Sequence, residues 1–574
     1  MIALGGRRVG AELDADVDRL LGWRRRRLRG LSTMGVLLAV AAYVGTHTTS
    51  LLPRPWYLQG VIAAICGLVG YVVGVALGGA GNLLIRWSGF RVTMKASARR
   101  TLVLLWLLLL ALGIVAFPFA TIGGQQYVSS YVGQEPPTLW FVVGSTFVAV
   151  AVFMAFIGVW RLILAVFRWV LVRIESHVLR ESIARGLAGA ATIAVVGLGF
   201  DQILLRGGFA LAIRQADRVN ATSPEGRRPP ASPLRSGGPG SPERWESLGQ
   251  DGALFVSGGP DAAAIRAVTG KPAKEPIRVF AGAGHGSVAA TRDAVLAELD
   301  RTGAWERRVI YVVTATSTGY VNEQSTSALE YLAAGDTASV SMQYSTLPSA
   351  FGLVLDDPAG AARALLDAVR ARLAAMPVGS RPRLYVGGES LGAYGGESAF
   401  GSPERMLAEV EGALWTGTPY FSPLRRQLTA RRNPGSTEVN PVVDLGRNVR
   451  FAGRPRELLA DQFGRPLGTW EHPRVVYLQH VSDPVAWWDL DLIFRSPPWL
   501  EETRLDVPMA RMSWYPLVTF WQVTADMSVS NTVPAGFGHR YGADETVPAW
   551  AAILGADPTA EYSAITAAID RASE

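Results

Sequence analysis

The sequence predicts an α-helical bundle of about five membrane spans, followed by an α/β domain with a mainly parallel sheet covered by helices on both faces. Three observations lead there. Apolar runs near the ~20 residues that a helical span requires are confined to residues 1–214. From Pro276 onward, short β-rich runs alternate with helical stretches, the pattern of parallel pairing. Charge divides along the same line: residues 1–214 hold 21 Lys and Arg against 8 Asp and Glu, and the remainder 34 against 40.

The apolar runs are Leu31–Ser50, Tyr57–Ile85, Leu102–Ile122, Leu139–Trp160 and Gly186–Leu205. Gly70, Gly74 and Gly78 recur every four residues in the second, where small residues let helices approach closely. The fourth continues into Arg161–Arg185, read as an interfacial helix with a basic face. Asp201 makes the fifth the weakest span. Basic residues cluster before the first span (Arg7, Arg8, Arg19, Arg24–Arg27, Arg29), between the second and third (Arg86, Arg91, Lys95, Arg99, Arg100) and between the fourth and fifth (Arg161, Arg168, Arg173, Arg180, Arg185). The alternate loops hold only Arg54. Positive residues stay on the cytoplasmic side, so the N-terminus is expected in the cytoplasm and the C-terminal domain outside the plasma (inner) membrane. Because the basic excess lies between apolar runs, a net charge of +7 and a pI near 9.6 describe membrane orientation and exclude nucleic acid as a partner.

Domain boundaries follow: a transmembrane part over 1–214, a linker over 215–245 rich in Pro, Gly, Ser and Arg, and a globular domain over 246–574. Cys66, the single cysteine, excludes an intramolecular disulfide and a cysteine-rich metal site. No cofactor is implied: the Gly282–Gly286 cluster lacks full G-x-G-x-x-G spacing, and the next strand has no ribose-binding acid at its end.

Within the globular domain the expected strands are Ile277–Ala281, Val309–Thr314, Ala338–Tyr344, Arg383–Val386, Ala413–Thr416 and Arg474–Gln479. The expected helices are Val288–Arg301, Ser325–Ala334, Ala359–Met376 and Pro403–Val410. The fourth strand runs into Gly388-Glu389-Ser390-Leu391-Gly392, a G-x-S-x-G pentapeptide. Such a turn from strand to helix lifts a serine hydroxyl above the sheet, with glycines where side chains would collide. Ser390 is therefore the candidate nucleophile, and the Leu391 N–H a candidate oxyanion donor. In this α/β-hydrolase arrangement the acid follows the serine and the base comes last. His472, His480 and His539 are the histidines after Ser390. Asp483 stands just past a late strand and is the candidate acid, with Asp544 the first alternative and Asp489 and Asp491 behind it. His539, in a glycine-bracketed loop, is the candidate base, while His472 and His480 read as structural. The loop after Val309–Thr314 offers Thr316 as second oxyanion donor, with Gly282–Gly286 as competitor.

The N-terminal spans, Ser236–Pro239, Gly335-Asp336-Thr337, Gln343-Tyr344-Ser345, Ser482-Asp483-Pro484 and Gly538-His539 together resemble a bacterial family of multi-pass membrane proteins with a C-terminal α/β-hydrolase domain. The resemblance covers most of the chain and implies a serine-hydrolase core with Ser390, Asp483 and His539, but no settled substrate. An arginine-rich insertion (Arg425, Arg426, Arg431, Arg432) and a tryptophan-rich stretch (Trp487, Trp488, Trp499, Trp514, Trp521) are read either as a lid and acyl-binding wall or as ordinary core and solvated loop. The expected partners are the lipid bilayer and a lipid or other acyl-ester substrate, with hydrolysis or acyl transfer as the reaction; an idle hydrolase-fold scaffold is the alternative.

Overall fold

The computed structural model describes residues 32–89, 96–175, 181–502 and 507–573; the arginines before the first span, and Arg91, Lys95 and Arg180, lie outside them. The chain divides into two compact units. One comprises Met1–Ala165 with Asp491–Ser496 and Arg511–Asp526; the other comprises Val166–Leu490, Pro497–Ala510 and Met527–Glu574.

The first unit is helical. Helices Trp56–Trp87, Arg100–Tyr131 and Leu139–Ile174 are long and apolar enough to cross a membrane, whereas Thr33–Thr46 and, in the second unit, Arg185–Gly199 are apolar but shorter. The Ser32 hydroxyl caps the first helix by accepting from the Gly35 amide at 3.2 Å, and fourteen residues at ~1.5 Å each fall short of a ~30 Å hydrocarbon core. Its partner is Trp56–Trp87, and the glycines explain the fit: a Cβ on Gly70 or Gly74 would stand 2.5 Å from the carbonyl oxygen of Leu38 or Met34. In the third helix Pro118 has no N–H for the Ile114 carbonyl, a π turn spans Leu112–Ala116, and the Tyr43 hydroxyl donates to that carbonyl at 3.4 Å. Leu139–Glu175 is one 37-residue helix, in which the fourth apolar run continues without interruption into the stretch read as an interfacial helix. Arg161–Glu175 contains no glycine or proline, so nothing ends the helix there.

Residues from far along the chain complete this unit. Asp526 accepts from the Ser50 hydroxyl and from the amides of Leu51 at 3.0 Å and Leu52 at 3.4 Å, and Arg54 Nε lies 3.3 Å from its carboxylate, both side chains fully buried. Arg54, the one basic residue in its loop, is thus one half of a buried ion pair.

The second unit holds a seven-stranded parallel sheet: β1 (Ile277–Ala281), β2 (Val309–Thr314), β3 (Thr337–Met342), β4 (Arg383–Glu389), β5 (Gly412–Thr416), β6 (Val449–Ala452) and β7 (Arg474–Leu478), in the order β1-β3-β2-β4-β5-β7-β6. Strands β1, β3 and β5 are buried along their whole length and β2 up to Val313, as a sheet covered on both faces requires. Helices Val288–Arg301 and Pro358–Ala374 pack with one apolar cluster, and Ala543–Ile553 with the other. The six expected strands and four expected helices are present with ends shifted by at most three residues. Strand β6 was missed because it has only four residues and Arg450 interrupts its apolar run; that guanidinium sits 4.2 Å above the Trp470 ring, with its polar edge on the Gly446 carbonyl at 2.9 Å.

The stretch expected to be a linker is packed into this unit. Arg235 is buried, its guanidinium donating to the carbonyls of Val256 at 3.0 Å and Pro260 at 3.1 Å. The Ser236 hydroxyl bonds the Glu298 carboxylate at 2.7 Å. Composition marked the segment as loop, but loops rich in polar residues also fold when buried carboxylates and carbonyls need donors. A second buried arginine, Arg278 of β1, grips Glu330 through Nε at 2.9 Å and a terminal nitrogen at 2.8 Å, and donates to the Phe255 carbonyl at 2.7 Å. Arg278→Ala leaves an uncompensated buried carboxylate and is expected to cost about 3–5 kcal/mol; thermal denaturation of the detergent-solubilised chain should show a melting transition lowered by several degrees.

Candidate active site

At the C-terminal end of β4 the chain turns sharply into the helix Leu391–Ser398. Ser390 occupies the bend at φ +56°, ψ −123°, a conformation that costs a non-glycine residue on the order of 1–3 kcal/mol. Its neighbours are glycines for a measurable reason: a Cβ on Gly392 would lie 2.2 Å from the Thr314 carbonyl oxygen, and one on Gly388 would lie 2.6 Å from the Gly392 carbonyl carbon. The Ser390 amide donates to the Thr416 carbonyl of β5 at 3.0 Å, which anchors the bend to the sheet. Leu391 opens the helix, where first-turn amides have no intrahelical acceptor.

Asp483 follows β7 and is completely buried. One carboxylate oxygen accepts from the Val485 amide at 2.9 Å; the other accepts from His539 Nδ1 at 2.8 Å and from the Tyr541 hydroxyl at 2.7 Å. With Nδ1 committed, Nε2 of His539 remains, buried and without a hydrogen-bond partner. Ser390 and His539 line one cavity of about 610 Å³. Asp544 stands exposed in the first turn of the helix Ala543–Ile553 and Asp491 belongs to the helical unit, so Asp483 is the carboxylate that the fold joins to His539.

The electrostatics follow from this packing. Burial alone would push the His539 imidazole down, but the adjacent Asp483 carboxylate, with Glu389 farther off, outweighs it and holds the pKa above the ordinary histidine value. Burial pushes Asp483 up, and His539 and Tyr541 outweigh that, so its carboxyl stays below the usual range. Behind the pair, His480 hydrogen-bonds the Gly538 carbonyl through Nδ1 at 2.8 Å and Glu545 through Nε2 at 2.6 Å. Burial opposes its charge, yet Glu545 raises its pKa to about 9, and the ring stacks on Tyr541 with centroids 4.2 Å apart. It is a fixed imidazolium that positions the His539 loop. His472 is exposed ahead of β7.

Thr316 is buried and lines the cavity. Its amide donates to the Tyr320 carbonyl at 3.0 Å, so the group it can offer is its hydroxyl. Its loop leaves β2, which pairs directly with β4; β1, which carries the competing Gly282–Gly286 loop, is separated from β4 by two strands. His285 of that loop bonds Glu243 at 2.8 Å. Two cavity residues escaped the sequence reading. Glu389, beside the serine, is buried, and one oxygen accepts from Asn322 Nδ2 at 2.5 Å and Thr416 at 3.3 Å; burial raises its pKa. Asn322 also donates to the Tyr541 carbonyl at 3.3 Å. The motif itself contained Glu389, but nothing in the spacing tied Asn322 to it.

The tryptophan-rich stretch lies elsewhere. Trp487 and Trp499 are fully buried with ring centroids 5.7 Å apart, Trp488 meets Phe421 at 6.2 Å, and Trp514 and Trp521 belong to the helical unit; none lines the cavity. In the arginine-rich insertion, Arg425 is buried against Gln479, and Arg431 and Arg432 pair with Glu404 and Glu502.

Two family models agree with this architecture. A family model described as the alpha/beta-hydrolase family matches residues 277–565, and a second, described as the alpha/beta-hydrolase family N-terminus, matches residues 47–260. Among solved structures, Trichoderma reesei cutinase in complex with a C11Y4 phosphonate inhibitor is 12% identical over 43% of this chain and 89% of that chain, with a TM-score of 0.19. No curated protein matches. With family models covering both its helical segment and its seven-stranded sheet, the chain belongs to the α/β-hydrolase family.

Proposed function

We propose that the chain is a membrane-anchored serine hydrolase that cleaves or transfers acyl groups of lipid or other acylated envelope substrates through Ser390, His539 and Asp483. The observation that carries this is the unpartnered, buried Nε2 of His539, its Nδ1 held by Asp483 at 2.8 Å, in the same cavity as a serine on a strained bend. A neutral Nε2 accepts the Ser390 hydroxyl proton as the oxygen attacks the ester carbonyl, and the imidazolium then returns it to the leaving alcohol. Asp483 fixes the tautomer and stabilises the imidazolium. The Leu391 amide and the Thr316 hydroxyl stabilise the oxyanion. Water or an acceptor hydroxyl then attacks the acyl-enzyme, giving hydrolysis or transfer.

The anchor in this proposal is an odd set of spans, the three long helices and, with the two shorter apolar helices also inserted, about five, with the N-terminus in the cytoplasm of a plasma (inner) membrane and the catalytic domain outside. A reporter fused at residue 1 should read cytoplasmic and one fused after Glu574 extracytoplasmic; the same side for both would reject the odd span number.

A fluorophosphonate probe is expected to label the detergent-solubilised chain and to leave Ser390→Ala unlabelled; equal labelling of the two would remove the nucleophile. The pH profile provides a second test. His539 works as a base only when neutral, and its raised pKa places the rising limb of kcat/KM above the ordinary histidine value of about 6.5. Asp483→Asn removes the charge that favours the imidazolium. The limb should therefore move to lower pH while activity falls about 10⁴-fold; an unmoved limb would contradict the role of Asp483.

A further inference from the structure

The walls of the Ser390 cavity indicate what it accepts. Apart from Leu254, Phe255, Val321 and Ala535, the lining is polar or hydroxylated. It offers no continuous apolar wall of the length that a long acyl chain requires, and Trp487 and Trp499 of the same unit are fully buried against each other rather than lining it. Its charged residues are Arg227 and Arg540 against Asp251, Glu323 and Glu389, with Arg227 lying 3.8 Å from Glu323. Asp251 accepts from the Thr318 hydroxyl through one oxygen at 2.6 Å. Glu389, 8% exposed, uses one oxygen for Asn322 and Thr416 and retains the other. Tyr320, 41% exposed, adds an aromatic surface, and Asn531 an exposed amide.

A phosphate-bearing headgroup would face three carboxylates, Asp251, Glu323 and Glu389, across a wall with only two arginines, one of which, Arg227, is already beside Glu323. A quaternary ammonium would need net negative charge against the ring, and Arg227 and Arg540 share the wall. Closely spaced acceptors, amide groups and a partly exposed ring suit a neutral ligand rich in hydroxyls, which exchanges hydrogen bonds with such groups and rests its C–H face on the aromatic.

We infer that the cavity binds the ester of a short acyl group with a polyhydroxylated, sugar-type alcohol, with Asp251 and Asn531 recognising the hydroxyls beside the scissile bond. This rests on the serine-hydrolase proposal. In the reaction the Ser390 oxygen forms a bond to the acyl carbon, the bond from that carbon to the sugar oxygen breaks, and the sugar hydroxyl leaves with the proton from His539. Water then releases the short acid.

The test uses the full chain in detergent with four substrates: 6-O-acetylglucose, p-nitrophenyl acetate, p-nitrophenyl palmitate and acetylthiocholine. The expected result is Ser390-dependent cleavage of both acetates of the first pair, with kcat/KM for the acetylated sugar at least tenfold above that for the palmitate and the choline ester. Asp251→Asn and Asn531→Ala should each lower the ratio of kcat/KM for the acetylated sugar to that for p-nitrophenyl acetate about tenfold, mainly through KM, the effect of one hydrogen bond to a charged or amide group. Preference for palmitate or acetylthiocholine, or an unchanged ratio in both variants, overturns the sugar-ester assignment while leaving the hydrolase intact. Absence of Ser390-dependent cleavage of p-nitrophenyl acetate removes the hydrolase proposal itself.

Discussion

The second unit is organised around one backbone constraint: a serine held at φ +56° where β4 becomes a helix. That conformation persists only if the surroundings over-determine it. Here the Ser390 amide is tied to Thr416, and the loop and helix backbones approach so closely that neither Gly388 nor Gly392 has space for a side chain. The flanking parallel strands supply the rigidity. Because β2 and β5 pair with β4 on either side, the loops that carry Thr316 and Gly417 are brought to the two sides of the bend.

The Asp483–His539 pair is held from behind. Tyr541 bonds Asp483, stacks on His480 and supplies a carbonyl to Asn322, which in turn holds Glu389. Asp483, Tyr541, Asn322 and Glu389 are thus linked by hydrogen bonds in a buried region, where each satisfied group is strengthened and each unsatisfied one is costly. The exception is Nε2 of His539. An imidazole nitrogen left bare inside an otherwise satisfied network is the pattern of a group that finds its partner in the substrate complex.

Local rules reached most of this fold. Buried parallel strands leave short β-rich runs that alternate with helical stretches, so β1 to β5 and β7 were legible, and the glycines around Ser390 announced a tight bend. Asp483 was legible because an acid just past a late strand has little other reason to interrupt an apolar region. Non-local features were not. Tyr541 reaches Asp483 across 58 residues and His480 reaches Glu545 across 65, with no periodicity to reveal either. Asp544 looked as good an acid as its sequence distance from His539 allowed, and only the placement of Asp483 separated them. The tryptophans showed that large apolar surface exists between residues 487 and 521, but composition does not say which neighbour it covers, and the structure gives it to packing rather than to the cavity.

The route of the chain between Asp483 and His539 has a practical meaning. Residues 491–496 and 511–526 are counted within the helical unit, where Asp526 is received by the Ser50–Arg54 turn. Met527 follows at once, and the histidine comes twelve residues later. A soluble fragment begun at the sheet would carry this excursion without its hosts, stripping a buried carboxylate of its arginine and baring Val518 and Trp521, which otherwise pack with Ile62 and Cys66. The helical unit thus holds the stretch of chain that leads to His539, and expression strategies that discard it remove more than a tether.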